Sequence, residues 1–376
     1  MHRERFVHAF AKLPKHKQAG FFVWPSLAGA ELSVEEARLF AHHAPSGCVL
    51  FKRNFSSIAQ GRDLIAQIKQ SVALGRASHA KEKIWGAPFI VSIDEEGGRV
   101  SRFPAPIPRG QPALSFGDSQ DLEGLRSQVL MQSGMAHILG VNCILAPVAD
   151  ILTEPSNPAM GDRCFGRTPE VVTQCMMQVL DTLENQGILS CVKHFPGHGD
   201  TLTDSHRTFA RTPVTLETLR KREWMPFRAA FSEGIRLCMT AHVIVEAVDP
   251  ARPATLSPSL LQHHLREELG FSGLVLSDDL RMNAIAEHYG AKTDIQQSSA
   301  VGDVSSEGIQ TDDSYLGKAA VEALKAGCDI ILSCLSIERE KIIFEAIMAE
   351  LEKDVIFAQA CAHKAWRIQK ELSSQR

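Results

Sequence analysis

Hydrophobic and polar positions follow one another in blocks along this chain. Short apolar runs recur at Gly20–Trp24, Gly47–Phe51, Pro88–Ile93, Val141–Ala146, Ile188–Val192, Ile235–Met239, Gly273–Leu276 and Cys328–Leu332. Each is nearly continuous in Val, Ile, Leu, Phe or Cys, as expected for parallel strands buried on both faces. Most are separated by enough chain for a crossover helix, often with clear punctuation. Ser33 with Glu36, and Ser57 with Gln60, have capping-box spacing. Thr168-Pro169 and Ser257-Pro258 put proline at a first helical position. Gly187, Gly234, Gly270 and Gly327 stand where a left-handed helix stop precedes the next strand.

Eight strand candidates alternating with helices predict an α/β fold, a (β/α)₈ barrel forming one domain over residues 1–376. A doubly wound open sheet is the alternative. The polar residues favour the barrel, because chemistry there collects on the loops after the strands. Strand three runs into Asp94-Glu95-Glu96-Gly97-Gly98-Arg99, strand four into Pro147 and Asp150, and strand five into Lys193-His194. Strand six runs into Ala241-His242 and strand seven into Ser277-Asp278-Asp279. Residues 291–315, rich in Ser, Gln, Asp and Gly, predict a flexible surface insertion, with a substrate-contacting lid as the alternative. Residues 337–373 read as terminal helices.

Composition narrows the setting. The net charge of -4 gives no general reason to expect nucleic acid or an anionic membrane as partner. The N-terminal MHRERFVHAFAKLPKHKQ is charged throughout, without an apolar core of signal-peptide length. No apolar run approaches the roughly 20 residues that span a bilayer. Nine cysteines are scattered without CxxC pairs, and Cys143, Cys191, Cys238 and Cys328 lie inside apolar runs. That pattern suits reduced core thiols. A cytoplasmic, monomeric protein is expected.

The densest polar constellation is Lys193 to His206, KHFPGHGDTLTDSH, whose glycines and proline predict a long loop. Its histidines and aspartates allow three readings. His194, His198 and His206 with Asp200 and Asp204 could bind a metal ion. Asp204 could instead fix the tautomer of His206 and raise its basicity, as an acid–base dyad. Or the groups could simply stitch the loop to its own backbone. The second constellation is Ser277-Asp278-Asp279-Leu280-Arg281-Met282. A carboxylate at the tip of a buried strand is costly unless used or paired. The alternative is a helix cap, and adjacent Asp278 and Asp279 allow one of each.

Taken together, DEEGGRV with Arg102, the GDRCF turn at 161–165, KHFPGHGDTLTDSH and SDDLRM resemble the signature set of glycoside hydrolase family 3. More narrowly, they are similar to its bacterial β-N-acetylglucosaminidases of the NagZ type. The likeness runs from GFFVW through GCVLFKRNF to AGCDIILSC, so it covers nearly the whole chain. It implies Asp278 as nucleophile, Asp204 and His206 as the acid/base dyad, and Asp94, Arg102, Arg163, Lys193 and His194 as sugar-binding positions. Those residue types suit sugar binding. Asp and Arg can each hold two hydroxyls, Lys193 supplies a compact charge and His194 a further donor. For Arg99, His198, Asp200 and Asp279 a structural role in loops and caps is expected.

The resemblance implies a retaining exo-β-N-acetylglucosaminidase that needs no cofactor or metal. Its implied substrate is N-acetylglucosamine linked to anhydro-muramic acid, with or without peptide, in peptidoglycan recycling. A histidine acid/base repels an anionic acceptor less than a carboxylate does, so a phosphorylase is an alternative, as is another family 3 β-glycosidase. Rivals of other classes are a metal-dependent hydrolase, disfavoured by Val23-Trp24-Pro25 at the end of strand one, and a non-catalytic carbohydrate-binding barrel. The insertion at 291–315 departs from the family pattern and puts in doubt how open the entrance beside strand seven is.

Overall fold

A computed structural model describes residues 2–79, 84–201, 210–291, 313–334 and 337–373. The strands among the described residues are β1 (Val23–Pro25), β2 (Gly47–Leu50), β3 (Ile90–Ile93), β4 (Cys143–Ile144), β5 (Leu189–Phe195), β6 (Ala210–Thr212), β7 (Leu237–Thr240), β8 (Val243–Val245), β9 (Leu274–Leu276) and β10 (Ile331–Ser333). All eight apolar runs contain a strand, with shifted ends. Gly20 closes the helix Lys15–Gly20, and the first strand begins three residues later. β5 runs on through Lys193-His194-Phe195, where the glycine and proline content predicts loop. β6 and β8 have no counterpart among the apolar runs; they pair with each other in parallel.

The main sheet is parallel, in the order β2-β3-β4-β5-β7-β9, and β1 pairs in parallel with β10. A parallel bridge between Leu276 and Ile330 links β9 to β10. The result is a curled α/β sheet whose ladder is open between β1 and β2, so a fully closed eight-stranded ladder is not what forms. Trp24 packs at this seam. Its indole lies against Gly47, where a Cβ would come within 2.7 Å of the ring, and its Nε1 donates to Ser46 Oγ at 2.9 Å. Beside this side-chain contact the seam carries a backbone bond, from Ser46 N to Gly20 O at 3.2 Å.

Helices between successive sheet strands pack outside. They include Val34–His43, Ile58–Ala77, Leu122–Leu139, Pro169–Asn185, Trp224–Ser232 and Ser259–Glu268. Ser33 and Glu36 form the full capping box, whereas Ser57 accepts from Gln60 N while the Gln60 side chain turns to Ser56 N instead. The four predicted helix-stop glycines all have positive φ, from 69° at Gly187 to 142° at Gly327. Such a turn exposes the chain end for entry into the next strand.

The chain ends are tied together by aromatic packing. Phe6, fully buried on the helix Arg3–Ala11, lies 5.4 Å from the Trp366 ring on the helix Val355–Ser373. Burying such a ring contributes roughly 1.5–3 kcal/mol. At the amino end of β10, buried Asp329 takes Arg266 at 2.6 Å and Arg367 at 2.7 Å and accepts from Val275 N at 2.9 Å. Two outer helices are thereby pinned to β9.

The predicted insertion at 291–315 lies mostly outside the described residues. Its carboxyl end falls inside the helix Ser314–Ala326, where Tyr315 is buried. The terminal segment forms helices Ile337–Lys353 and Val355–Ser373. All nine cysteines are free and buried. Among the described residues no helix is long and apolar enough to cross a membrane.

Candidate active site

The sheet gathers its polar side chains at the carboxyl ends of its strands. Asp94 follows β3 directly, Lys193 and His194 end β5, and Asp278 stands two residues beyond β9. Because β3, β5 and β9 run parallel in one sheet, these groups stand at the same end of it.

Two linked networks build its floor. In the first, Lys193 Nζ reaches Asp94 Oδ1 at 2.7 Å and Glu96 Oε1 at 2.6 Å. Arg163 takes the same Glu96 at both oxygens, Nε at 2.8 Å and Nη2 at 2.9 Å. Burial opposes ionisation of Glu96, but Arg163 and Lys193 outweigh it and hold the carboxyl well below the usual range. Burial likewise works against the Lys193 ammonium, while Asp94 and Glu96 more than offset it and raise its basicity. Lys193, Arg163 and Glu96 thus stay charged in a nearly dry setting, which such groups tolerate only when paired.

In the second network, buried Asp150 accepts from His194 Nδ1 at 2.7 Å and from the His198 backbone N–H at 2.7 Å. Burial raises the Asp150 carboxyl, yet the facing His194 brings the net shift below the ordinary value. His194 Nε2 faces Arg163 Nη2 at 3.4 Å, so the hydrogen-bond pattern assigns the Nδ1–H tautomer. Both ring nitrogens are engaged inside the protein, in place of the spare donor expected from sequence. Arg163, also bonded to Ala159 O, is similarly turned inward and only 9% exposed.

Asp94 is the part of this assembly that opens outward, its side chain 19% exposed. Arg102 Nη2 lies 3.9 Å from Asp94 Oδ2, and its guanidinium sits 5.9 Å from the Phe51 ring centre. The Arg102 backbone N–H donates to buried Glu95 Oε2 at 2.7 Å, which fixes the approach of that segment.

Local sequence explains the loop after β5. Gly199 passes so close to Ile151 that a Cβ would lie 1.6 Å from its carbonyl oxygen, so only glycine fits. Asn157 staples the neighbouring loop to it, donating to His198 O at 2.8 Å and accepting from Met160 N at 2.9 Å. His198 bonds Thr201 Oγ1 through Nδ1 at 2.8 Å, and burial pushes its pKa down to about 4. Asp200 accepts from Thr153 Oγ1 at 2.9 Å, and Arg99 Nε pairs with Asp162 at 2.8 Å. Asp204 and His206 lie outside the described residues.

The two aspartates after β9 differ. Asp278 is partly exposed, and its Oδ1 accepts from Asp279 N at 2.8 Å. Asp279 closes a turn, accepting from Arg281 N at 3.1 Å and Arg281 Nε at 3.0 Å. Sequence reasoning missed the structural weight of Glu96, Asp150 and Asn157. Their placement beside Asp94, Pro147 and the GDRCF turn was the available signal.

Among the described residues, His263, His264 and Glu268 alone could bring three ligand atoms within 4.8 Å of one another for a metal ion. They sit on the outer helix Ser259–Glu268, where Arg220 takes Glu268 at 2.6 and 2.9 Å.

The glycosyl hydrolase family 3 N terminal domain matches residues 23–370. The chain belongs to this family. A beta-hexosaminidase of Xanthomonas axonopodis pv. citri is 33% identical over 314 residues, 82% of each chain. Another from Methylococcus capsulatus is 31% identical over 326 residues, 85% of each chain. Among solved structures, a glycoside hydrolase family 3 beta-N-acetylglucosaminidase from Paenibacillus sp. superposes with TM-score 0.80 at 31% identity. The match covers 96% of this chain and 63% of that longer protein. A family member from Mycobacterium smegmatis superposes with TM-score 0.79 at 26% identity, over 98% of this chain and 99% of the other.

In this family 3 chain, a partly exposed carboxylate (Asp94) is bonded to buried Lys193, and a second carboxylate (Asp278) follows a strand at the same end of the sheet. Such a site can hold neutral hydroxyls through charge-assisted bonds and set a nucleophilic carboxylate against them.

Proposed function

We propose that the protein is a retaining exo-β-N-acetylglucosaminidase, acting as a monomer on terminal β-linked N-acetylglucosamine. Asp278 attacks the anomeric carbon while His206, held by Asp204, protonates the departing oxygen. Water activated by His206 then attacks the glycosyl-enzyme, releasing the sugar with net retention. Asp94, Arg102 and Lys193 hold the sugar, with Arg163 and His194 backing them through Glu96 and Asp150.

The observation that carries this reading is the placement of Asp94, Lys193 and Asp278 at the carboxyl ends of strands of one parallel sheet, with Lys193 bonded to Asp94 at 2.7 Å. The names of the relatives support the N-acetylhexosamine specificity. We read the curled sheet as a (β/α)₈ barrel in one domain, its β1–β2 seam filled by Trp24 and Ser46. We also assign the protein to cytoplasmic peptidoglycan recycling, with N-acetylglucosaminyl-anhydro-muropeptide as substrate.

Turnover of 4-nitrophenyl N-acetyl-β-glucosaminide by the full chain tests the activity. Release of nitrophenol with the β-anomer as first-formed product is expected. Sugar binding without turnover would favour a carbohydrate-binding barrel, and an α-anomer would exclude the double displacement. Faster turnover with inorganic phosphate, giving a sugar 1-phosphate, would identify a phosphorylase.

A further inference from the structure

Lys17 is an ammonium group buried without a carboxylate. It is 4% exposed, its Nζ donates to Ala41 O at 2.7 Å, and among the described residues no acid pairs with it. A buried charge is costly unless compensated. The final carbonyls of helix Val34–His43, to which Ala41 belongs, offer only partial charge.

Lys17 lines a cavity of about 930 Å³ at the amino ends of β1, β2 and β3, the end of the sheet opposite Asp94 and Lys193. Helix Lys15–Gly20 leads into β1, His42 and His43 end the helix before β2, and His79 follows the helix before β3. Helix Ile337–Lys353 supplies the remaining wall. The His16 and His42 rings stack at 4.0 Å with 18° between planes, and His43 lies 3.8 Å over Phe344.

The groups on the inner part of this cavity are bases, of which Lys17 carries the positive charge near neutral pH. Burial, then His42, Lys17 and His79, bring His16 down to about 4, and burial alone brings Lys17 down to about 8. Burial is also the main cause of the low value of about 3 at His43, with His42, His16 and Lys17 adding to it against a bond to His16 O. His42 is lowered by burial and Lys17. The carboxylates on the lining, Glu35 and Glu345, are exposed and act on neither His16 nor Lys17, while Arg38 and Lys341 add cations at the rim.

We propose that this cavity binds a small oxyanion-bearing molecule, a phosphate monoester in chemical class, with Lys17 as the buried countercharge. A dianion fits better than a carboxylate. Lys17 supplies one positive charge, and the stacked His16–His42 pair can accept one proton but not two, because like charges at that distance repel. The volume exceeds that of a phosphate group, and Leu39, Phe344 and Met348 give the organic remainder an apolar wall.

Inorganic phosphate is the probe, titrated into the full chain in phosphate-free buffer near neutral pH. Histidine ring resonances are followed by NMR, and binding heat is measured in two buffers of different ionisation enthalpy. Saturable shifts of the His16 and His42 resonances with net proton uptake are expected, with acetate much weaker. Lys17→Met should weaken phosphate binding by roughly tenfold or more, the loss of one charged bond. Lys17→Arg should recover part of it, and aryl-glycoside turnover should be unchanged in both. If Lys17→Met does not fold, the double variant His16→Gln with His42→Gln serves instead and should abolish the proton uptake. Absence of a saturable shift, equal binding of acetate, or binding untouched by these substitutions would overturn the proposal.

Discussion

Arg163 grips Glu96 at two points, Nε to Oε2 at 2.8 Å and Nη2 to Oε1 at 2.9 Å, with both side chains almost wholly buried. Lys193 bonds the same carboxylate but keeps Asp94, so removing Glu96 leaves the buried Arg163 without its paired carboxylate. Glu96→Ala should cost about 3–5 kcal/mol, the usual penalty for breaking a buried pair from one side. Denaturant unfolding measures this. A loss below about 1 kcal/mol would mean that water replaces the carboxylate and the floor is looser than its geometry implies.

Glu223 should control how stability depends on pH. It is 2% exposed in a π turn, Leu219–Glu223, beneath Gly197, with Arg222 Nε at 2.6 Å from Oε1. Burial pushes its pKa from 4.5 up to about 7; Arg222 works against that shift, and Asp150 and Asp200 add to it. Because the folded value is raised, the folded state holds the proton more tightly than the unfolded chain between these values. Stability is therefore full below about pH 4.5 and falls as pH rises to about 7, by about 3 kcal/mol in total. Glu223→Gln should remove this slope and be relatively more stable at pH 8. An unchanged slope in unfolding free energy from pH 5 to 8 would exclude Glu223 as its source.

Asp278 and Asp279 should separate cleanly. Asp279 bonds Arg281 N and Nε and so shapes a turn, whereas Asp278 is the proposed nucleophile. Asp278→Ala should abolish turnover of an aryl glycoside and keep the fold, while Asp279→Ala should keep measurable turnover with reduced thermal stability. Equal inactivity of two folded variants would contradict the division.

How far the sequence was legible depended on the kind of signal. Strands buried on both faces, such as Ile90–Ile93 and Leu237–Thr240, write continuous apolar runs, and the helix-stop glycines mark where they start. β6 and β8 were illegible because three-residue strands pairing outside the main sheet leave no run. Trp24 read as one more buried residue, and nothing in its neighbours said that its indole would occupy the β1–β2 seam. Residue types around the site were legible as motifs. Which of them face inward was not, because that depends on partners distant in sequence: Arg163 with Glu96, and His194 with Asp150.

The role of His206 predicts a dependence on the leaving group. A general acid matters most for a poor leaving group, typically by a factor of about 10² to 10⁴, and little for nitrophenolate. His206→Ala should lose far more kcat/KM on alkyl or sugar aglycones than on a nitrophenyl one. Asp204→Asn should show a weaker form of the same trend. One common loss factor across the series would assign His206 to substrate positioning.

The most direct measurement is mass spectrometry of the protein quenched in acid during turnover of 4-nitrophenyl N-acetyl-β-glucosaminide. His206→Ala is the protein to use, because its glycosyl-enzyme should form readily and hydrolyse slowly. The predicted result is a mass increase of one N-acetylhexosaminyl group, carried by the peptide containing Asp278 and absent when Asp278→Ala is added. An adduct on another residue, or steady nitrophenol release by the double variant at the rate of His206→Ala, would contradict a double displacement through Asp278.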